Sequence, residues 1–259
     1  MLAEPTTYPA QPATPPSWLM ILGLAIAVLV GSGLVGLIGG GLLFFGLLAW
    51  LAGPEALAGM PYNHEQLPAA AQALLLGDGL FLCASLVAAP VAVVLLLRVV
   101  PRPDPNPREY LGLKWPGLLQ GLSWGLLILG GDFVLRFLVP RLGMPLGGDD
   151  SFREIIDTPV LFPLAFVAIA VLAPVVEELL VRGYLLEGFR VSRFGETGAI
   201  LITSALWAGM HSGTPARLLG IFLVGILLAL ARLRTGSTYL TVTVHAIVNT
   251  VAVILAADW

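Results

Sequence analysis

The segment APVVEELLVRGYLL (residues 173–186) decides the fold, because it places ionisable groups inside an otherwise apolar run. Glu177, Glu178 and Arg182 lie within hydrophobic sequence that extends from 159 to 187. Apolar runs of this kind are long enough to cross the roughly 30 Å hydrocarbon core of a bilayer as a helix. A charge at the centre of such a helix costs about 2.5–3.5 kcal/mol. These three side chains therefore indicate a functional site, a set of paired charges, or both.

The composition of the whole chain, like the sequence of this segment, is that of a membrane protein. Of its 259 residues, 58% are hydrophobic and only 11% are charged, whereas a soluble domain carries about 25% charged residues. Working outward, we find candidate spans at 18–50, 74–97, 117–139, 159–187, 197–211, 216–233 and 237–256. The sequence predicts an all-α, polytopic transmembrane helical bundle of about seven spans, within a range of six to eight. Such an integral membrane protein has the lipid bilayer as its first partner.

The few charged residues exclude one class of partner and suggest an orientation. A formal net charge of −3, without a cluster of basic residues, gives no indication of nucleic-acid binding. Cytoplasmic loops are enriched in Lys and Arg, and three alternate loops hold Arg98, Arg102, Arg108, Lys114, Arg190, Arg193, Arg232 and Arg234. The opposite loops hold Arg141, Arg153 and Arg217. With seven spans, this bias predicts a cytoplasmic N-terminus.

Composition also divides the chain into three parts. Residues 1–17 are rich in proline and lack Lys and Arg, which predicts a disordered tail. Residues 18–157 form a plain apolar half of membrane helices and loops, and residues 158–259 hold most of the intramembrane polar groups, which predicts that they form the catalytic core. The glycine-rich stretch 18–53 either crosses the bilayer once, strongly tilted, or breaks and re-enters. Because arginine outnumbers lysine twelve to one, the expected location is a bacterial cytoplasmic membrane.

Helix geometry gives the two adjacent glutamates different partners. Glu178 and Arg182 stand at i and i+4 with the acid N-terminal, which is the better orientation for a helical ion pair. Glu177 is rotated by about 100° from Glu178 around the helix axis. It cannot share that pairing equally well and needs a partner from another span.

Candidate partners lie in two later spans. His211 is found in LWAGMHSG, and TVTVHAIVNT carries His245 and Asn249 at i and i+4, on one helical face. With a rise of about 1.5 Å per residue, these groups and Glu177 lie roughly 14–22 Å from the predicted cytoplasmic ends of their helices. A carboxylate beside a histidine can take a proton from water, and N–H donors can stabilise an oxyanion. The cluster is thus suited to amide hydrolysis.

Three short motifs carry a resemblance to a known family. EELLVR (177–182), WAGMH (207–211) and HAIVN (245–249) are similar to the motifs of the CAAX protease and bacteriocin-processing (CPBP, also called Abi) intramembrane peptidases. Those motifs are Glu-Glu-x-x-x-Arg, aromatic-x-x-x-His and His-x-x-x-Asn or Asp. The resemblance covers about 160–256 and includes one departure, since Trp207 stands where many members have Phe. It implies a CAAX-protease-like core of membrane helices.

The resemblance also implies a role for each residue of the motifs. Glu177 and His211 would activate a water molecule, and His245 with Asn249 would form the oxyanion hole. Glu178 and Arg182 would support the helix that carries Glu177. The implied activity is that of an intramembrane endopeptidase, of the glutamate type, acting on membrane-associated or lipidated peptides.

Alternatives remain open at the level of sequence. No cofactor is predicted, although Glu177, His211 and His245 offer three ligands suited to zinc. A metal is not favoured because the chain lacks His-Glu-x-x-His, the usual local zinc motif. A non-catalytic membrane scaffold or immunity protein could carry the same residues. A proton-coupled transporter could use glutamate and histidine as a proton relay.

Overall fold

The computed structural model describes residues 17–53, 67–100, 106–144 and 153–256, and over these ranges the chain is helical, without a strand. The helices of the described ranges are α1 Trp18–Ala52, α2 Ala69–Leu76, α3 Gly79–Val99, α4 Pro107–Tyr110, α5 Leu118–Arg141, α6 Arg153–Ile156, α7 Phe162–Arg190, α8 Gly195–Gly209, α9 Pro215–Thr235 and α10 Thr238–Ala256. The predicted all-α, polytopic bundle is confirmed.

Six helices of the described chain are long and apolar enough to cross a membrane: α1, α3, α5, α7, α9 and α10. The predicted span at 197–211 corresponds to α8, which has only 15 residues. At about 1.5 Å per residue, α8 is about 22 Å long, less than the roughly 30 Å of hydrocarbon. It ends at Gly209, so His211 lies beyond the helix. The protein is an integral membrane protein, and over its described residues six helices are long enough to span the bilayer whereas α8 is shorter.

The long N-terminal helix α1 is unbroken over 35 residues. Its small residues permit close packing on α3: a Cβ added to Gly40 would lie 2.4 Å from the Cα atom of Ala84. Towards the other end of the pair, Gly31 faces Leu95, so the two helices are antiparallel. Residues 18–53 therefore form one helix rather than a re-entrant pair. The predicted disordered tail lies outside the described residues, apart from Ser17, which caps α1.

The loops rich in arginine meet at one end of the bundle. The guanidinium of Arg193, which follows α7, lies 5.2 Å from the ring centroid of Trp18 at the start of α1. The hydroxyl of Tyr110, between α3 and α5, donates to the carbonyl of Tyr184 near the end of α7 at 3.3 Å. The assignment of this end to the cytoplasm stays a prediction.

Arg232 fixes the segment between α3 and α5 to the turn that joins α9 and α10. Its side chain is buried, with 4% exposure. One guanidinium nitrogen donates to the carbonyl of Tyr110 at 3.1 Å, and Nε donates to the hydroxyl of Thr238 at 3.0 Å. The Thr238 hydroxyl donates in turn to the carbonyl of Leu111 at 2.5 Å. The buried guanidinium thus binds two oxygens directly and is linked to the carbonyl of Leu111 through the hydroxyl of Thr238.

Gly112 offers a test of this junction. Its φ is +66°, and a Cβ at this position would lie 2.4 Å from the Cζ atom of Arg232. We expect Gly112→Ala to lower the free energy of unfolding by at least about 1–3 kcal/mol, because both the backbone and the guanidinium must shift. The matched control is Gly117→Ala in the same segment, where φ is −57° and no atom lies within 4 Å. Thermal unfolding in detergent measures both; equal melting temperatures would contradict the prediction.

The N-terminal and C-terminal helices share one hydrophobic core. Ile21 of α1 and Leu96 of α3 belong to the same buried cluster as Leu180 and Tyr184 of α7 and Leu228 of α9. The helices before residue 158 therefore support the C-terminal helices by direct packing. The division of the chain at that residue stays a prediction.

Candidate active site

Helix α7 is distorted where it carries the acidic pair of the first motif. It contains two π-helical stretches, Val167–Leu172 and Leu179–Leu185, on either side of the α-helical turns Ala173–Glu178. A π-helical stretch changes the register of every side chain that follows it, and such stretches occur frequently at functional sites. Glu177 and Glu178 lie between the two stretches.

Pro174 explains how α7 reaches the last motif. The N–H of Ala173 donates to the carbonyl of Ala168, five residues earlier. The next position, Pro174, has no N–H, so the carbonyl of Ile169 loses its helical donor. Nδ2 of Asn249 donates to this carbonyl at 2.9 Å. An interhelical hydrogen bond between α7 and α10 thus replaces the one that proline removes.

Glu177 receives a hydrogen bond from α8 and faces a histidine. Nε1 of Trp207 donates to Oε2 of Glu177 at 2.6 Å. Nε2 of His211 lies 3.9 Å from the same oxygen, too far for a direct hydrogen bond. The Glu177 and His211 side chains are 21% and 25% exposed. The pair is therefore open enough for a small molecule to contact both.

The turn between α8 and α9 holds His211. Gly213 has a φ of 129°, and the hydroxyl of Thr214 caps α9 by accepting from the N–H of Arg217 at 3.2 Å. Nδ1 of His211 lies 2.8 Å from the carbonyl oxygen of Trp207. Since a carbonyl only accepts, Nδ1 carries the proton, and the neutral imidazole keeps its acceptor, Nε2, on the side of Glu177.

Glu178 is fully buried and is shared by two partners. Its Oε1 accepts from a guanidinium nitrogen of Arg182 at 2.9 Å, the i, i+4 pair that the sequence predicts. The same oxygen lies 3.1 Å from Nδ1 of His245, which donates because a carboxylate accepts. Arg182 also donates to the carbonyl of Gly225 on α9 at 3.3 Å. Glu178 thus fixes a proton on Nδ1 of His245 and holds the ring in one orientation.

Trp207 contacts both histidines and Arg182 as well as Glu177. Its ring packs edge-on against His211 and His245, with centroid distances of 5.2 and 5.3 Å and interplanar angles of 80° and 81°. The guanidinium of Arg182 lies 4.2 Å from the ring centroid, within the range of a cation–π interaction. The indole thus lies between the two histidines and against the buried ion pair.

The polar groups line one cavity of about 910 Å³ with mostly apolar walls. Glu177, His211, His245 and Asn249 all lie on its surface. Asp132 of α5 also lies there and accepts from Nε of Arg136 at 2.6 Å. An apolar cavity of this size with a few convergent polar groups is the usual form of a site for an organic ligand.

The grouping of these side chains bears on the zinc alternative. Among the described residues, no three His, Cys, Asp or Glu side chains are grouped so that they could hold a metal ion. Nδ1 of His245 donates to Glu178 and leaves Nε2 as the ring nitrogen that a metal could use. The expectation that no cofactor is needed stays a prediction.

Sequence reasoning brought the right elements together but missed two contacts. The structure places all four residues expected to take part in the reaction on one cavity, and each histidine contacts a different glutamate. The sequence could not show that Trp207 donates to Glu177, although an indole four residues before His211 was a signal. Asn249 binds the carbonyl of Ile169, and the only signal for this contact in the sequence was Pro174, which removes the helical donor of that carbonyl.

Comparison with known proteins identifies the region that holds these residues. Residues 159–251 match the family model described as "Type II CAAX prenyl endopeptidase Rce1-like". The chain is also 33% identical over 153 residues to an Escherichia coli protein called "Uncharacterized 24.3 kDa protein"; the match covers 57% of this chain and 65% of that protein. No solved structure matches. Residues 159–251, which include the three motifs, therefore match an Rce1-like domain model, in agreement with the resemblance of those motifs to the CAAX protease (CPBP) family.

Proposed function

We propose that the chain is an intramembrane endopeptidase in which Glu177 and His211 activate a water molecule to hydrolyse a peptide bond. One observation carries this proposal: two hydrogen-bond acceptors, Oε2 of Glu177 and Nε2 of His211, face each other at 3.9 Å. Two acceptors cannot bond to each other, but a water molecule that donates to both fits between them. The match to a family of endopeptidases supports the same activity.

The chemistry follows from these two acceptors. The water oxygen attacks the carbonyl carbon of the substrate while Glu177 takes one of its protons. The resulting tetrahedral intermediate carries its negative charge on the former carbonyl oxygen. When the C–N bond breaks, Glu177 gives the proton to the departing nitrogen. The immediate products are a carboxylic acid and an amine, which become a carboxylate and an ammonium group when the remaining proton of the water passes from the acid to the amine. No covalent bond to the protein is needed.

We propose that His245 and Asn249 stabilise the oxyanion. His245 uses Nδ1 on Glu178, so in its doubly protonated form Nε2–H is the donor that remains for a ligand in the cavity. Asn249 uses one N–H on Ile169, and its Nδ2 carries a second. Fixed donors of this kind stabilise the transition state because they need no reorganisation when charge develops. In this scheme Glu178 and Arg182 support His245 rather than react.

The cavity indicates the chemical class of substrate. Its walls are mostly apolar, and it lies among helices that cross the membrane. An extended peptide with apolar side chains or an attached lipid can leave water for such walls at a gain of about 25 cal/mol per Å² buried. We therefore propose membrane-associated or lipidated peptides as substrates.

A comparison of membrane peptides tests the proposal directly. Membranes from cells that produce the wild-type chain and membranes from cells that produce Glu177→Gln are analysed by mass spectrometry for new peptide termini. We expect termini that are present only with the wild type, because the amide cannot accept a proton from water. Identical sets of termini at equal protein levels would favour the non-catalytic scaffold.

A further inference from the structure

We infer that the indole N–H of Trp207 positions the Glu177 carboxylate for proton abstraction; this inference rests on the proposed function. The bond from Nε1 to Oε2 is 2.6 Å long, and a hydrogen bond to an ionised acceptor is about twice as strong as a neutral one. Trp207 itself is buried, with 4% exposure. The donor therefore acts from inside the protein on a carboxylate that lies at the edge of the cavity.

The indole can act as a fixed donor because its ring has little freedom. His211 and His245 pack edge-on against it, and Arg182 lies over its face at 4.2 Å. A buried aromatic ring that is enclosed on several sides stays in one rotamer. The direction of the N–H is consequently set by packing, independently of any substrate.

The position of the bond decides its effect on the reaction. A glutamate carboxylate that faces a cavity can rotate about its terminal torsion, which has broad minima. The bond from Trp207 fixes Oε2, the same oxygen that lies 3.9 Å from Nε2 of His211. The two acceptors that would hold the water therefore keep their separation only while the indole holds Glu177.

The residue at the first position of the second motif, Trp207, has a chemical role. A phenylalanine there would keep an aromatic ring between the histidines but would have no donor. The tryptophan of this chain adds one N–H, and that N–H is used on the proposed base. Trp207 is thus a positioning residue, since it acts through Glu177 rather than on the substrate.

Spectroscopy tests the bond without any substrate. The full chain is labelled with ¹⁵N-tryptophan in detergent, and the indole N–H signals of its six tryptophans are recorded. The signal lost in Trp207→Phe is that of Trp207. We expect this signal to lie downfield of the others in the wild type and to move upfield in Glu177→Gln, where the acceptor is no longer charged. A Trp207 signal that ignores the Glu177 substitution would overturn the inference.

Kinetics test whether the bond serves the reaction. The probe is a quenched fluorescent peptide that spans a cleavage site found in the membrane comparison. We expect Trp207→Phe to lower kcat about tenfold, which equals about 1.4 kcal/mol of transition-state stabilisation, with KM within about twofold. The matched control is Trp50→Phe, at a position on α1 that is 69% exposed, and it keeps the wild-type kcat.

The outcomes separate this inference from the proposed function. If Trp207→Phe keeps the wild-type kcat while the spectrum shows the bond, the bond exists but does not position the base, and the inference is wrong. If Glu177→Gln cleaves the probe as fast as the wild type, the proposed function is wrong, whatever the spectrum shows. Melting temperatures of both tryptophan variants identify any loss of kcat that comes from unfolding.

Discussion

Replacing Glu177 with glutamine is expected to lower kcat for peptide cleavage by about 10²–10⁴-fold, the usual contribution of a general base. The substitution conserves shape, and the amide oxygen can still accept from Nε1 of Trp207. On the proposed role of Glu177, it removes only the ability to take a proton from a water molecule between residue 177 and His211. The measurement is the initial rate of cleavage of the fluorescent peptide by purified protein in detergent.

A second carboxylate in the same cavity supplies the control. Asp132 lines the cavity and is bound to Arg136 rather than to a histidine. We expect Asp132→Asn to keep kcat within about threefold, since its carboxylate is paired with Arg136 and has no part in the proposed activation of water. A loss of kcat in Asp132→Asn as large as that in Glu177→Gln would show that any change of charge in the cavity stops cleavage, and the assigned role of Glu177 would fall.

Replacing Arg182 with methionine is expected to lower the free energy of unfolding by about 3–5 kcal/mol, the usual cost of removing one partner of a buried ion pair. Both side chains of the Glu178–Arg182 pair have 0% exposure. Without the guanidinium, Glu178 keeps only His245 as a possible counter-charge, and the carbonyl of Gly225 loses a donor. Thermal or denaturant-induced unfolding in detergent measures the loss.

The chain contains a matched exposed pair for comparison. Asp132 and Arg136 also stand at i and i+4 with the acid first, but their side chains are 19% and 53% exposed. We expect Arg136→Met to cost no more than about 1 kcal/mol. The double variant Glu178→Gln/Arg182→Met should recover part of the stability lost in Arg182→Met, since it leaves no uncompensated charge. Equal losses in Arg136→Met and Arg182→Met would contradict the view that burial decides the cost.

The fold and the residues of the site follow from the sequence to a large extent. The apolar runs predict the membrane helices because a helix is the simplest way to satisfy backbone polar groups in lipid. The spacing of Glu178 and Arg182 predicts their pair because residues four apart are neighbours on a helix. Both rules depend only on local geometry. The observed helices and the observed ion pair agree with them.

The contacts that could not be predicted from the sequence depend on how the helices are oriented about their axes relative to each other. Whether His245 contacts Glu177 or Glu178 is decided by the register of α7, and two π-helical stretches alter that register. The 3.6-residue spacing of apolar residues in the sequence does not indicate where a π-helical stretch occurs. The end of α8 was also missed, since the predicted span at 197–211 continues two residues past Gly209, where the helix ends. Long-range contacts thus needed the three-dimensional structure.

Trp207 lies between side chains from different helices, and this has a consequence for the biogenesis of the protein. α7 supplies Glu177, α8 supplies Trp207, and α10 supplies His245 and Asn249. On the proposed roles, a chain in which α10 has not yet packed has a base but no oxyanion donors, and its Trp207 lacks one of its neighbouring rings. Proteolytic activity then arises only on complete assembly, so partly inserted chains cannot damage the membrane proteins around them.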